Sequence, residues 1–255
     1  MHLQEWPVQR WMDQLAPCLP GFSVQVLPEI DSSNSELMRR ARAGDTRPAL
    51  LVALAQSAGR GRLGRIWLSQ PGDALTFSLG LPLTVTDWSG LSLAVGLSLA
   101  QSLHPEIQLK WPNDLWWQQR KLAGILIETA NVGAQRHAVI GVGINLCMRD
   151  AQGLSTPPAW LQEALPGISA PQALERVLAP LVHTLQRFER EGFAPFVGGF
   201  NARDGLGGRA VRLSDGVCGV ARGVNASGAL LVHTAAGPQA VVSSEVSVRP
   251  VPAGA

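Results

Sequence analysis

Three arginines alternate with three glycines in the stretch Gly59–Trp67, GRGRLGRIW. Glycine lets a backbone turn tightly and approach a ligand closely. Arginine carries a planar, permanently charged fork that matches carboxylate and phosphate oxygens. Following closely on the apolar run Leu50–Ala55, this composition describes a loop at a strand end that holds an anion. Gly59, Gly61 and Gly64 also satisfy G-x-G-x-x-G, the dinucleotide pattern. That pattern needs a helix directly after it and an acidic residue about 20 positions on. Here a Gln70-Pro71-Gly72-Asp73 turn and a strand-like run, Ala74–Leu81, follow instead, so a dinucleotide site is not indicated. A hairpin loop with solvated arginines would explain the turn but not the alternation.

Three other segments place polar groups at strand ends. In Lys110-Trp111-Pro112-Asn113-Asp114 the proline disfavours a continuing ladder, and Asn113 and Asp114 stand at the strand mouth near Lys110. In Lys121-Leu122-Ala123-Gly124-Ile125-Leu126-Ile127-Glu128 a lysine opens an apolar strand, and Gly124 removes a side chain where a ligand could lie flat. In Gly141-Val142-Gly143-Ile144-Asn145 alternate glycines imply close approach of another backbone or a ligand, and Asn145 ends the run. Read singly, these segments are also an Asn-Asp turn, a solvated edge lysine and a strand-end turn.

The elements that must position these groups follow from periodicity. Residues 1 to about 20 predict a short amphipathic helix with Trp6, Trp11 and Leu15. Phe22–Leu27 alternates as a strand does. Ser33 and Glu36 read as a capping box opening a helix that stops near Gly44. Leu50–Ala55 and Ala74–Leu81 flank the glycine–arginine loop as strands. A buried helix spans about Trp88–Leu103, and Gln108–Trp111, Ala123–Thr129 and His137–Asn145 are strand-like. Ser169 caps a further helix with apolar residues at helical spacing, kinked at Pro180. From Arg209 short alternating runs separated by turn signals predict a small antiparallel β-barrel. Two domains follow, residues 1–204 and 205–255.

Bulk properties limit the functions available. Lys+Arg 21 against Asp+Glu 19 leaves a net charge of +2, which makes no global electrostatic case for nucleic acid. With 46% hydrophobic and 16% charged residues the chain is not disorder-prone. The N-terminus lacks the continuous apolar core of a signal peptide. Trp88–Leu103 falls short of the roughly 20 apolar residues of a membrane span. Cys18, Cys147 and Cys218 are odd in number and widely spaced, which points to a reduced cytoplasmic compartment and buried structural thiols. His104, His183 and His233 are isolated and read as surface or packing residues. Trp111, Trp116 and Trp117 read as core and pocket wall.

In order and spacing, IDSSN, the glutamine before GRGRLGRIW, KWPNDLW, KLAGILIE, GVGIN and the late EVSVR resemble the biotin protein ligase family, from about Ile30 to Arg249. The resemblance implies an α+β fold: a mixed sheet flanked by helices, of the class II synthetase-like biotin–lipoate ligase type, plus a C-terminal SH3-like β-barrel. It implies activation of biotin with ATP and Mg²⁺ to biotinyl-5′-AMP, then transfer to one lysine of the carrier domain of acetyl-CoA carboxylase. The family's pattern, carried over, assigns Ser32, Ser33, Asn34 and Gln56 to the biotin ureido ring. Arg60, Gly61 and Arg62 would close over biotin and the acyl phosphate, with Arg62 also facing the nucleotide. Arg65, Trp67, Lys110, Asn113, Asp114, Asn145 and Arg249 would face ATP, the Trp67 indole offering a stacking surface for adenine. Lys121 would contact the biotin carboxylate and mixed anhydride, and Gly124 and Ile125 would line the biotin channel. Lys121, Arg60 and Lys110 are the catalytic cations, and Mg²⁺ is placed near Asp114 without a dedicated side-chain motif.

Chemistry agrees with that assignment. A carboxylate attacking an α-phosphate brings two anions together, and fixed cations offset both that repulsion and the charge of the transition state. In the second step AMP leaves readily, so the protein mainly orients the acceptor amine and excludes water. Ser33 stands where threonine is common, and Ser244 where glycine is usual before Glu245. Too little chain precedes Ile30 for the DNA-binding winged helix of bifunctional members, so a monofunctional ligase is expected, acting without DNA or membrane as a monomer or homodimer. Lipoate ligase-type acyl transfer is the alternative on the same fold, although those relatives lack GRGR. A biotin-binding regulator without transfer activity would lack the phosphate-facing groups.

Overall fold

The computed structural model describes residues 6–67, 69–133, 135–148, 158–242 and 248–251. In chain order the elements are α1 (Val8–Leu15), β1 (Ser23–Leu27), α2 (Ser33–Arg42), β2 (Ala49–Ala53), β3 (Ala74–Pro82), α3 (Leu91–Leu103), β4 (Gln108–Lys110), β5 (Asp114–Trp117), β6 (Arg120–Val132), β7 (Gln135–Asn145), α4 (Leu161–Ala164), α5 (Ala170–Glu191), α6 (Val197–Ala202), β8 (Ala210–Leu213), β9 (Cys218–Val224), β10 (Leu230–Thr234), β11 (Gly237–Val241) and β12 (Val248–Pro250). They divide into two compact units, residues 1–84 with 120–180, and residues 85–119 with 181–255. Among the described residues no helix is long and apolar enough to cross a membrane.

The first unit orders its strands β1-β2-β3-β7-β6. β1 and β2 run parallel, and the β2–β3, β3–β7 and β7–β6 pairs are antiparallel, so the sheet is mixed. β3 and β7 are buried over nearly their whole length. Their register divides the sheet into two unlike faces, because successive side chains point to opposite sides. Leu75, Phe77 and Leu79 of β3 share one face with Ile140, Val142 and Ile144 of β7 and Ala123, Ile125 and Ile127 of β6. On the other face Thr76 pairs with Gly143 and Gly143 with Gly124, while Ser78 pairs with Gly141 and Gly141 with Leu126. One face is thus continuous hydrocarbon. The other is a floor of glycines and small polar residues, with Leu51, Leu126 and Val139 alongside them.

Helix α2 lies over that floor and buries Leu37, Met38 and Ala41, with Leu37 and Met38 in a core cluster with Leu51 and Val139. Its capping differs from the expected Ser33–Glu36 box. Ser32 is the extended N-cap residue, and its hydroxyl accepts from the Ser35 N–H at 3.4 Å. The Glu36 carboxylate instead accepts from Arg39 and Arg40 on the next turn, where three- and four-residue spacing brings opposite charges together. The Ser33 hydroxyl is directed to Gln56. At the other end Gly44 adopts φ +94° and its N–H meets the Ala41 carbonyl, closing the helix as expected.

In the second unit α3 is buried almost all round. It begins at Leu91 rather than near Trp88, because Gly90 turns the chain at φ +80° and packs where a Cβ would sit 2.4 Å from Phe193. β4 and β5 form an antiparallel hairpin with Lys110 opposite Asp114. β5 is not anticipated by the sequence pattern, since four residues carry too little periodicity to read. The C-terminal strands form a five-stranded antiparallel sheet, β11-β10-β9-β8-β12. Helix α5 runs unbroken from Ala170 to Glu191 with Pro180 inside it. Its start matches the expected cap: the Ser169 hydroxyl accepts from the Gln172 N–H, and the Gln172 side chain accepts from the Ser169 N–H. One expectation fails. Cys18 and Cys147 are only half-buried and Cys218 is exposed. Each stands at an element edge, after α1, after β7 and at the start of β9, and not on a core face.

Candidate active site

The polar floor of the first unit carries the densest group of predicted residues. The Ser33 N–H and hydroxyl both donate to Gln56 Oε1, at 2.8 and 3.0 Å. Ser78, from the middle of β3, has its hydroxyl 2.8 Å from Ser33 Oγ and 2.6 Å from Asn34 Oδ1. The Asn34 amide nitrogen donates to the Leu126 carbonyl at 3.2 Å and to Glu128 Oε2 at 3.0 Å. Arg60 Nη2 reaches the same Glu128 oxygen at 2.5 Å. Ser33, Asn34 and Ser78 are buried, where most polar groups need a hydrogen-bond partner. Gly141 makes room for the arrangement, because a Cβ there would lie 2.2 Å from Asn34 Oδ1.

Beside this network two paired glycines seat an indole. A Cβ at Gly143 would lie 2.3 Å from Trp67 Cε2, and one at Gly124 would lie 3.6 Å from Trp67 Cζ3 and 3.2 Å from Lys121 Nζ. Trp67 Nε1 points to Thr76 Oγ1 at 3.4 Å. The glycine pattern in GVG is therefore met by two side chains, Asn34 and Trp67. Asn145, also on this face, donates to the Lys121 and Ala159 carbonyls at 3.2 and 3.0 Å. Its Oδ1 is buried and has no hydrogen-bond partner among the described residues. Ile125 alternates to the opposite, apolar face, where it pairs with Val142.

The glycine–arginine loop folds back on itself. Arg60 bridges Ile66, the Gly61 N–H donates to the Arg65 carbonyl at 2.7 Å, and Arg62–Gly64 make one 3₁₀ turn. Leu63 sits at φ 55°, in the left-handed region a leucine rarely adopts. Leu63 and Ile66 are 58% and 76% exposed, and Arg65 is exposed too. Ser32 is committed to capping α2. The neighbouring Asp31 carboxyl is lowered to about 2, chiefly by the Arg39 guanidinium that grips it at 2.8 and 3.0 Å.

The remaining predicted residues lie in the second unit. Lys110 Nζ is 3.7 Å from Asp114 Oδ2 and 5.5 Å from the centre of the Trp116 ring. Trp111 is fully buried, donates to the Gly228 carbonyl at 3.0 Å and precedes a cis peptide bond to Pro112. Asn113 follows in the turn between β4 and β5. Trp116 and Trp117 are buried as well, in keeping with a core role. Arg249 is exposed on β12, opposite Arg212 of β8. Of the late EVSVR segment, Glu245–Ser247 and the neighbouring Ser244 lie outside the described residues. Among the described residues no three His, Cys, Asp or Glu side chains group to hold a metal. Asp114 can still serve Mg²⁺, an ion that keeps several waters and substrate phosphate oxygens in its shell.

Two network residues went unassigned in the sequence. Ser78 shows as a hydroxyl inside the apolar run ALTFSLGL, and Glu128 as a carboxylate closing KLAGILIE. Both break a hydrophobic strand, and that break is the available signal.

The Biotin/lipoate A/B protein ligase family matches residues 29–145, and the Biotin protein ligase C terminal domain matches residues 206–249. The bifunctional ligase/repressor BirA of Escherichia coli (strain K12) is 36% identical over 251 residues, covering 92% of this chain and 77% of that one. The biotin–[acetyl-CoA-carboxylase] ligase of Paracoccus denitrificans is 32% identical over 237 residues, covering 87% and 98%. The biotin protein ligase from Aquifex aeolicus, solved in complex with biotin and ATP, superposes with a TM-score of 0.77 at 30% identity, covering 89% of this chain and 99% of that one. With its glycine-paired floor, its arginine loop and these relatives, the chain belongs to the biotin/lipoate A/B protein ligase family.

Proposed function

We propose that this protein activates biotin with ATP and transfers it to one lysine of the biotin carboxyl carrier domain of acetyl-CoA carboxylase. The carrying observation is the cross-strand glycine pair Gly124–Gly143, with the Lys121 ammonium at its edge and the Trp67 indole upon it. A glycine surface flanked by an indole and ending in a cation suits a ligand with a hydrocarbon chain and a terminal carboxylate.

In the first step a biotin carboxylate oxygen attacks the α-phosphorus of ATP, and pyrophosphate leaves. In the second the lysine amine attacks the acyl carbon, the C–O bond to AMP breaks, and the amine loses a proton. Lys121 and Arg60 offset the charge of the reacting carboxylate, and Lys110 that of the phosphates. Ser32, Ser33, Asn34 and Gln56 serve the ureido ring. Gly124, and Ile125 through its backbone, line the channel. Gly61 and Arg62 form the lid. Arg62, Arg65, Trp67, Asn113, Asp114, Asn145 and Arg249 serve the nucleotide; a Mg²⁺ ion held near Asp114 would screen phosphate charge. Residues 1–204 act as the catalytic domain and 205–255 as an accessory one, in a cytoplasmic monomer or homodimer.

The test is a streptavidin blot of purified carrier domain incubated with the protein, ATP, Mg²⁺ and biotin. Labelling of one lysine is the expected result. No labelling at stoichiometric enzyme would overturn the ligase function, and pyrophosphate release with lipoate but not biotin would redirect it to lipoyl transfer.

A further inference from the structure

We infer that Glu128 is a positioning residue that ties the catalytic Arg60 to the biotin-recognition network through Asn34. The inference rests on the biotin-activating function proposed above. Its basis is the valence of each group. An ionised carboxylate only accepts hydrogen bonds, whereas an amide both donates and accepts. Glu128 Oε2 takes one donor from Arg60 and one from Asn34. It therefore fixes which end of the Asn34 amide faces β6. The nitrogen is spent on Glu128 and the Leu126 carbonyl, and the oxygen is turned to Ser78.

That orientation propagates. With Asn34 Oδ1 fixed as an acceptor 2.6 Å away, the single Ser78 proton is drawn to it, leaving Ser78 Oγ as an acceptor toward Ser33. The Ser33 proton then has two acceptors in reach, Gln56 Oε1 and Ser78 Oγ. A ligand competing for Gln56 can be accommodated by rotating that one hydroxyl, without stranding a buried proton. Both protons of the Asn34 amide and its oxygen are occupied within the protein. In this arrangement Asn34 acts on the ligand through Ser33 and Gln56, and Glu128 holds it there. Glu128 also sets where Arg60 stands, so recognition of the ring and charge at the carboxylate share one anchor.

The test is a double-mutant cycle read by calorimetric biotin binding in the absence of ATP. Glu128→Gln keeps the shape but adds donors, and lets the amide of Asn34 turn. It is expected to weaken biotin binding roughly tenfold, as loss of charge-assisted hydrogen bonds does. Glu128→Asp is expected to recover part of the loss. Arg60→Ala is expected to cost severalfold less in the Glu128→Gln background than in the unmodified chain. Equal cost in both backgrounds would overturn the inference, because a merely structural carboxylate leaves the effect of Arg60 unchanged. If Glu128→Gln does not melt as one folded species, the same cycle on Glu128→Asp decides by the same criterion. An unmodified protein that releases no pyrophosphate with biotin would refute the underlying function, a failure distinct from an uncoupled cycle in an active enzyme.

Discussion

The two regions that meet at Arg60 are built in opposite ways. Beneath α2 Ser33, Asn34, Gln56, Ser78 and Glu128 all have side-chain partners, and glycine at position 141 shapes the space to one side chain. The loop from Gly59 to Ile66 is held by a few backbone hydrogen bonds, exposes two large apolar side chains and keeps a leucine in a left-handed conformation. A satisfied buried network stiffens its surroundings, whereas segments with few buried contacts open at low cost. The contrast suits a site with two tasks. Ring recognition wants fixed geometry before the ligand arrives. A cover that admits substrate and shields a reactive anhydride has to move.

The largest test of this contrast is chemical. Lys121→Ala removes the ammonium beside the glycine pair and is expected to lower the single-turnover rate of biotinyl-5′-AMP formation by about 10²–10³-fold, as loss of one preorganised transition-state contact does. Retention of most of the rate would detach the floor from the chemistry. Next comes the rigid region. Gly141→Ala forces a Cβ against Asn34 Oδ1 and is expected to destabilise the fold by about 1–3 kcal/mol in denaturant unfolding. A neutral result would mean the network is looser than its distances indicate.

In the loop Arg62→Gly is expected to leave unfolding nearly unchanged while releasing adenylate roughly tenfold faster, measured as biotinyl-5′-AMP in a filtrate. Slow release together with lost stability would reverse the assignment of rigid and mobile parts. A pH measurement reports on the far end of the rigid floor. His137 is held below its usual pKa by burial, opposed by the charge of Asp45. The folded state therefore resists protonating it, and the unfolded chain binds the proton more readily. Stability contributed by neutral His137 is present above about pH 6.5 and is lost as pH falls below it. His137→Gln should flatten that part of the melting profile, and an unaltered slope would exclude the imidazole as its source. The smallest effect belongs to Leu63→Gly, which relieves the left-handed strain while loosening the unfolded chain and should raise stability by no more than about 1 kcal/mol.

Local patterns carried a great deal of this molecule. Strands β2, β3 and β7 were legible because runs of apolar residues between turn signals leave few alternatives, and the α5 cap because Ser169 and Gln172 interact within one turn. The glycine–arginine stretch was legible as a tight loop, because glycine readily takes the left-handed conformation that Gly64 adopts. What the sequence by itself determined, then, is element type, turn chemistry and the kinds of groups a site would contain, all properties of neighbours along the chain.

Tertiary structure decided which neighbours meet. That Ser33 would turn from its own helix to Gln56 depended on a partner 23 residues away. That Ser78 and Glu128 would join the recognition residues depended on the β3–β7–β6 register, which brings alternate residues of three strands onto one face. Register is a long-range property, and a slip of one residue would have exchanged the polar floor for the apolar face. The glycines of GVG illustrate both halves. Their spacing announced a close approach, and only packing identified what approaches: the amide of Asn34 over one and the indole of Trp67 over the other.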